Sequence, residues 1–146
     1  MTIATILNGK GSAVISLPRD ATVRQAVALL AERRIGAVPV VDGDGGGEAV
    51  VGIFSERDVV YCLAAHGPDA LDRPVAEVMT QPVQSVGTAE PAIGALSLMT
   101  RRRIRHLPVV ENGRMVGFVS IGDLVKYRID RIEADAAAMR DYIQTA

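Results

Sequence analysis

Two hydroxyl–carboxylate pairs, Ser55 with Asp58 and Ser120 with Asp123, carry the best-defined chemistry in this chain. Each follows a glycine at the same distance, in Gly52-Ile-Phe-Ser55-Glu-Arg-Asp58 and Gly117-Phe-Val-Ser120-Ile-Gly-Asp123. A serine with an acid three residues on opens a helix, because the two side chains take up the first orphan backbone N–H groups. The N–H groups left over point outward and make such a helix start a ready anion site. A glycine just ahead lets backbone come close to a ligand, where a Cβ would obstruct. Capping by itself would also account for both pairs, at about 0.5–2 kcal/mol per cap. The run Arg101-Arg-Arg-Ile-Arg105-His106 adds guanidinium groups suited to bidentate contact with anionic oxygens. This is equipment for binding.

Other chemistries find less support. No nucleophile–base pair or carboxylate dyad stands out, so the chain does not read as an enzyme. Two histidines and one cysteine supply no metal-ligand cluster. Residues 42–48, Asp-Gly-Asp-Gly-Gly-Gly-Glu, lack the spacing and exiting helix of a calcium loop. They are also no Walker loop, since no Gly-Lys-Ser/Thr follows. The arginines at 101–103 have no stacking aromatics nearby and the net charge is −1, which makes nucleic acid an improbable partner.

The elements that must position these groups occur twice. Pro39-Val-Val is matched by Pro108-Val-Val at an offset of 69, and Gly52, Ser55 and Asp58 by Gly117, Ser120 and Asp123 at an offset of 65. The difference falls in the glycine-rich loop of the first copy, where insertions are tolerated best. Each copy reads as a helical lead-in (residues 3–7 and 75–79), a strand (14–17 and 83–86), a helix, a hairpin and a closing helix. Thr22 with Gln25 caps the first copy's helix, whose Val23, Ala26, Val27, Leu30 and Ala31 share one apolar face. In the second copy residues 91–102 form the matching helix, with Ile93, Leu96 and Met99 inward. Runs 37–41 with 49–54, and 107–110 with 114–120, form the hairpins. The first copy spans 1–66, a linker 67–74, with His66 solvated at a helix end, and the second copy 75–128. About 55 residues is marginal alone, so the two units are expected to stack sheet against sheet in an α+β fold.

Past Asp123 the pattern changes. Val125, Ile129, Ile132, Ala136, Met139 and Ile143 alternate spacings of four and three, with charged residues between them. This predicts an amphipathic helix over 123–146 with a narrow apolar seam. It either folds back on its own domain or packs against a second subunit, and its length favours the second. With five Phe and Tyr residues and no Trp, the core must be aliphatic. The single cysteine, Cys62, lies in an apolar run and reads as a buried structural thiol in a reducing compartment. Residues 1–15 show no leader pattern and no apolar run approaches ~18 residues, so a cytoplasmic protein is expected.

The duplicated pattern resembles the cystathionine β-synthase (CBS) domain, present as a tandem pair over residues 3–128 in the manner of stand-alone bacterial proteins. A proline-containing strand followed by G-h-x-[ST]-x-x-D is that family's signature, and both copies match it in full. The resemblance implies a pseudo-two-fold module whose two clefts bind adenine nucleotides: AMP foremost, otherwise ADP, ATP, S-adenosylmethionine or NAD(H). A carboxylate accepts both hydroxyls of a cis-diol, so Asp58 and Asp123 would hold ribose, and Ser55 and Ser120 ribose or phosphate. Backbone before the proline would read adenine, at Ile35 to Ala37 and at Ile104 to His106. Arg105 and His106 would face the phosphates of the Asp123 site; the first copy has Gly36-Ala37 instead and would draw on Arg57 or Arg34. Each cleft would be completed by the start of the other copy: Lys10, Gly11 and Ser12 at Asp123, Thr80 and Val83 at Asp58. The function implied is a regulatory module whose ligand state is read by a partner or by the second subunit of a homodimer. The alternative is a ligand-free assembly module working through its C-terminal helix.

Overall fold

The computed structural model describes residues 1–11, 13–42 and 49–145. Ser12 and most of the 42–48 loop therefore lie outside the described residues. In chain order the elements are α1 (Ile3–Lys10), β1 (Leu17–Pro18), α2 (Val23–Arg33), β2 (Ala37–Asp42), β3 (Ala49–Ser55) and α3 (Glu56–His66). A 3-10 helix (Gly67–Asp72) then leads to α4 (Val75–Val78), α5 (Ala92–Arg102), β4 (His106–Glu111), β5 (Arg114–Ser120) and α6 (Ile121–Thr145). The sheets run β1-β2-β3 and β4-β5. This is the expected α+β architecture of two like units with their hairpins facing through β3 and β5.

The two hairpins share one ladder. Pro39 stands opposite Ile53 and Val40 opposite Gly52; Pro108 stands opposite Phe118 and Val109 opposite Gly117. Both ladders shift register at the next residue pair, between Val40 and Val41 and between Val109 and Val110. Thr22 caps α2 in a reciprocal box, accepting from the Gln25 N–H at 3.1 Å while the Gln25 side chain accepts from the Thr22 N–H at 2.9 Å. Both α2 and α5 end on an arginine in the left-handed region, Arg34 (φ 53°) and Arg103 (φ 55°). A Cβ-bearing residue is uncommon there, and such strained positions persist where the surroundings over-determine them.

The cores cross over. Ile3, Ile6 and Leu7 of α1 are buried with Val86, Ala95, Met99, Leu107, Val109, Val119 and Leu124 of the second copy. Val75 and Met79 are buried with Val23, Ala26, Leu30, Val38, Val40, Phe54 and Cys62 of the first. Backbone bonds fix both exchanges: the Ile3 N–H donates to Glu90 O at 2.9 Å and the Val75 N–H to Ala21 O at 2.7 Å. The chain between Met79 and Val86 therefore has to travel from one core to the other. That is why the strand expected at 83–86 is reduced to single bridges, Thr80 with Ile53 and Val86 with Val109. The strand expected at 14–17 is likewise cut to Leu17–Pro18, where proline closes an edge strand without needing a donor. Residues 67–74 are more than a linker, since Ala70 of the 3-10 helix is fully buried in the first core.

Two helices depart from the expected faces. α5 buries Ala92, Ala95 and Met99 and leaves Ile93 62% exposed, because Ile93 lies a hundred degrees round the helix on the side toward α6. On α2, Ala31 is exposed and Val27 only half-buried. Cys62 is buried as expected. α6 is 25 residues long, about 37 Å at 1.5 Å per residue. Leu124 and Tyr127 pack on the second core, but Ile129, Ile132, Met139 and Ile143 are exposed.

Candidate nucleotide cleft

Ser55 ends β3 and caps α3. Its Oγ accepts from the Asp58 N–H at 3.4 Å, while Asp58 Oδ2 accepts from the Ser55 N–H at 2.9 Å. The Ser55 hydroxyl also donates to Oδ2 at 3.2 Å, and the crossing segment supplies Thr80, whose Oγ1 donates to Asp58 Oδ1 at 2.8 Å. Asp58 is 7% exposed. The carboxylate thus sits behind Thr80 and Ser55, and a ligand hydroxyl reaches it only by displacing Thr80.

In front of these residues is a cavity of about 340 Å³. Ile53, Pro82, Val83 and Ile104 give it apolar walls. Ser55, Thr80 and Gln84 supply neutral polar groups, and Arg57, Arg103, Arg105 and His106 a basic side faced by Glu56. The Arg57 guanidinium donates to Arg103 O at 3.4 Å, tying the two copies together. A mostly apolar wall with a few convergent polar groups is what small-ligand sites look like, and ~300 Å³ is the lower end of their volumes. Arg105 and His106, expected at the Asp123 side, face this first-copy cleft. The equivalent segments of the two copies meet here: a Cβ on Gly36 would stand 3.6 Å from the His106 imidazole, and Arg57 donates to Arg103 O.

At the second motif the Ser120 N–H donates to Asp123 Oδ2 at 2.8 Å and the Asp123 N–H to Ser120 Oγ at 3.1 Å. Lys10, brought over by α1, donates to the same Oδ2 at 2.6 Å and to Phe118 O at 2.7 Å. Burial pushes the Asp123 carboxyl up, but the Lys10 ammonium and the Ser120 N–H outweigh it and hold the group below its ordinary value. His106 lies between the two motifs. It stacks on Phe118 with ring centroids 5.7 Å apart, and its imidazole borders Gly36 and Glu56. Burial, with Lys10 and Arg105, lowers its pKa, opposed by Asp123 and Glu56.

The motif glycines have a different reason from the one expected. A Cβ on Gly52 would strike the Met79 side chain, and one on Gly117 the Leu7 side chain. Both glycines make room for the crossing segments. Ala37 is buried within β2 and Ile35 packs on the first core, whereas Val83 lines the cavity. Gly11 terminates α1 with φ 96°, directly after Lys10. Sequence reasoning missed Ile53, Glu56, Pro82 and Gln84 as cleft residues, and took Arg103 only as part of the arginine run, without assigning it to a cleft. No group of three or more metal-ligating side chains occurs among the described residues.

The sequence pattern of the CBS domain matches residues 11–65 and again 75–130. The chain belongs to the CBS domain family. A mitochondrial CBS domain-containing protein of Arabidopsis thaliana is 31% identical over 98% of this chain and 72% of its own length. Among solved structures, a CBS-domain containing protein from Agrobacterium tumefaciens is 38% identical with a TM-score of 0.81, over 87% of this chain and 92% of that one. The CBS domain pair of protein MJ0100, solved in complex with 5′-methylthioadenosine and S-adenosyl-L-methionine, is 25% identical with a TM-score of 0.75, over 87% of this chain and 98% of that one. CBS domain pairs are regulatory modules, and this chain carries one such pair. Among the described residues no helix is long and apolar enough to cross a membrane.

Proposed function

We propose that this chain is a non-enzymatic, cytoplasmic regulatory module that binds an adenosine nucleotide, AMP foremost, in the cleft between its two CBS repeats. The observation that carries the reading is the cavity itself, which joins apolar walls, a capped helix start and three guanidinium groups in one space. The base lies against Ile53, Pro82, Val83 and Ile104. Ribose meets Ser55 and Thr80, with Asp58 behind them as the acceptor. Phosphate faces the α3 N-terminus and Arg57, Arg103, Arg105 and His106, where charge-assisted bonds are strongest. The adenosine ligands of the MJ0100 pair support the choice of nucleoside. The Asp123 side is a second, weaker site, because Lys10 already occupies its carboxylate. ATP, ADP and NAD(H) remain ligands of the same class.

Calorimetric titration with AMP, ATP, NAD(H) and S-adenosylmethionine tests this. AMP is expected to bind, and Arg105→Ala to weaken it by about 10–100-fold, the worth of one or two hydrogen bonds to a charged group. No heat with any of the four refutes the reading.

A second reading, assembly through α6, is favoured by one observation: an apolar row exposed along the whole helix. In that reading the protein is a homodimer, and truncation after Lys126 abolishes self-association. The two readings are compatible, with the dimer relaying the state of the cleft.

A further inference from the structure

The exposed row on α6 has a geometry that selects its partner. Val125, Ile129, Ile132, Ala136, Met139 and Ile143 form a seam of period 3.5, and the large residues among them are exposed. Leu124 and Tyr127, which anchor the helix to its own body, lie on another face. The body therefore sits to one side and leaves the seam open to a second helix. Lys126, Glu133 and Arg140 flank the seam on one edge, and Arg128, Asp135 and Tyr142 on the other.

We infer that α6 pairs with α6 of a second copy as a parallel, in-register two-stranded coiled coil. Four arrangements put seam on seam, and the flanking charges together with the length of seam covered decide among them. An antiparallel pair centred on Ala134 uses all six seam positions but sets Glu133 on Glu133 of the partner subunit, Asp135 on Asp135 of the partner subunit, and Lys126 beside Arg140 of the partner subunit. An antiparallel pair centred between Asp130 and Arg131 matches opposite charges but sets Met139 against the first turn of the partner's helix, at position 122, and carries Ile143 past its start; one centred between Ala137 and Ala138 leaves Val125 and Ile129 uncovered. The parallel pair does both. Every seam residue meets its own counterpart, and the flanking positions that approach one another across a parallel coil are five residues apart. Those are Arg128 with Glu133 of the partner subunit and Asp135 with Arg140 of the partner subunit, each formed twice by symmetry. Asp135 keeps its 3.6 Å contact with Arg131 on its own helix and gains the second arginine.

The inference rests on the assembly reading for its choice of face, and the test separates the two. Sedimentation of the full chain, with circular dichroism to confirm folding, is expected to show a dimer. Arg128→Glu and Glu133→Arg each replace two attractive contacts by repulsive ones, and each weakens the dimer by roughly tenfold. Mixing the two variants restores it as a one-to-one heterodimer. Met139→Cys forms a disulfide-linked dimer on mild oxidation, because only the parallel pair brings position 139 against itself. The wild-type protein, whose Cys62 is buried, does not crosslink. A monomeric wild type overturns the assembly reading and this pairing together. A dimer that ignores Arg128→Glu, or whose Met139→Cys form stays unlinked, overturns the pairing alone.

Discussion

Replacing Gly117 by alanine tests whether α1 really lies in the second repeat's core. Gly117 lies in β5, and among the residues with positive φ it does not appear, so the backbone accepts alanine. The added Cβ would stand 2.6 Å from one Leu7 methyl and 2.8 Å from the other. Leu7 is itself 8% exposed and has no open side to retreat into. Overpacking of this kind costs about 1–3 kcal/mol. Leu7→Ala alone costs about 2–5 kcal/mol through the cavity it leaves. The double variant should cost no more than Leu7→Ala alone, because the truncated side chain no longer meets the new methyl. The coupling is then about 1–3 kcal/mol, well above the few tenths expected of independent sites. Urea unfolding of the four proteins measures it. Additive losses, or a Gly117→Ala protein as stable as wild type, would refute the crossed arrangement. Lys10 adds a second readout, since any shift of α1 moves its ammonium away from Asp123.

Three further predictions follow from the cleft. Thr80→Val keeps the shape but deprives buried Asp58 Oδ1 of its donor, costing about 1–3 kcal/mol in urea unfolding; an unchanged midpoint would mean that another donor replaces it. Asp123 titrates below its ordinary value in the folded state, so its contribution to stability is present above the unfolded value of ~3.9 and is lost as pH falls through the folded one. Lys10→Met should therefore lower stability at neutral pH, with the gap to wild type narrowing in acid to what the Lys10–Phe118 O bond leaves; a gap that does not narrow contradicts the pairing. Burial lowers the His106 pKa, so its contribution declines as pH falls below the unfolded value of ~6.5. A phosphate set beside it reverses that bias, so nucleotide binding should take up a proton and tighten from pH 8 to 6. Calorimetry in buffers of different ionisation heat reads the proton directly, and identical heats would place the phosphate elsewhere.

The duplication was legible because both copies keep local grammar: a capping pair, a proline strand and a glycine at fixed spacing. Those marks correctly predicted the hairpins and the starts of α2 and α3. What they could not carry was which copy each piece would serve. α4 reads as the opening of the second copy, but Val75 and Met79 complete the first core. Nothing in a helical period records that exchange. The same limit moved Arg105 and His106 across the interface, since their neighbours Arg57 and Gly36 are about 50 to 70 positions away in sequence. Ile93 was misplaced for a related reason. Its apolar character fits an inward position, whereas the face that α5 buries runs through Ala92, Ala95 and Met99 and leaves it outside.

The inequality of the two motifs comes from these crossing segments and not from the motifs. Gly-x-x-Ser-x-x-Asp is the same in both, and both carboxylates accept the backbone N–H of their own capping serine. The segment from Met79 brings a neutral hydroxyl to Asp58, while the segment from Leu7 brings an ammonium to Asp123. In the proposed function Asp58, whose partner on the crossing segment is a neutral hydroxyl, would accept a ribose hydroxyl that displaces Thr80. Asp123 must first give up a charged partner, which is the costlier exchange. The three guanidinium groups of the open cleft lie on the side of the first motif. In the proposed function a nucleotide would therefore meet its favourable phosphate field and its exchangeable acceptor in the same place. His106 borders Gly36 and Glu56 on one side, while Lys10 and Asp123 act on its charge from the other.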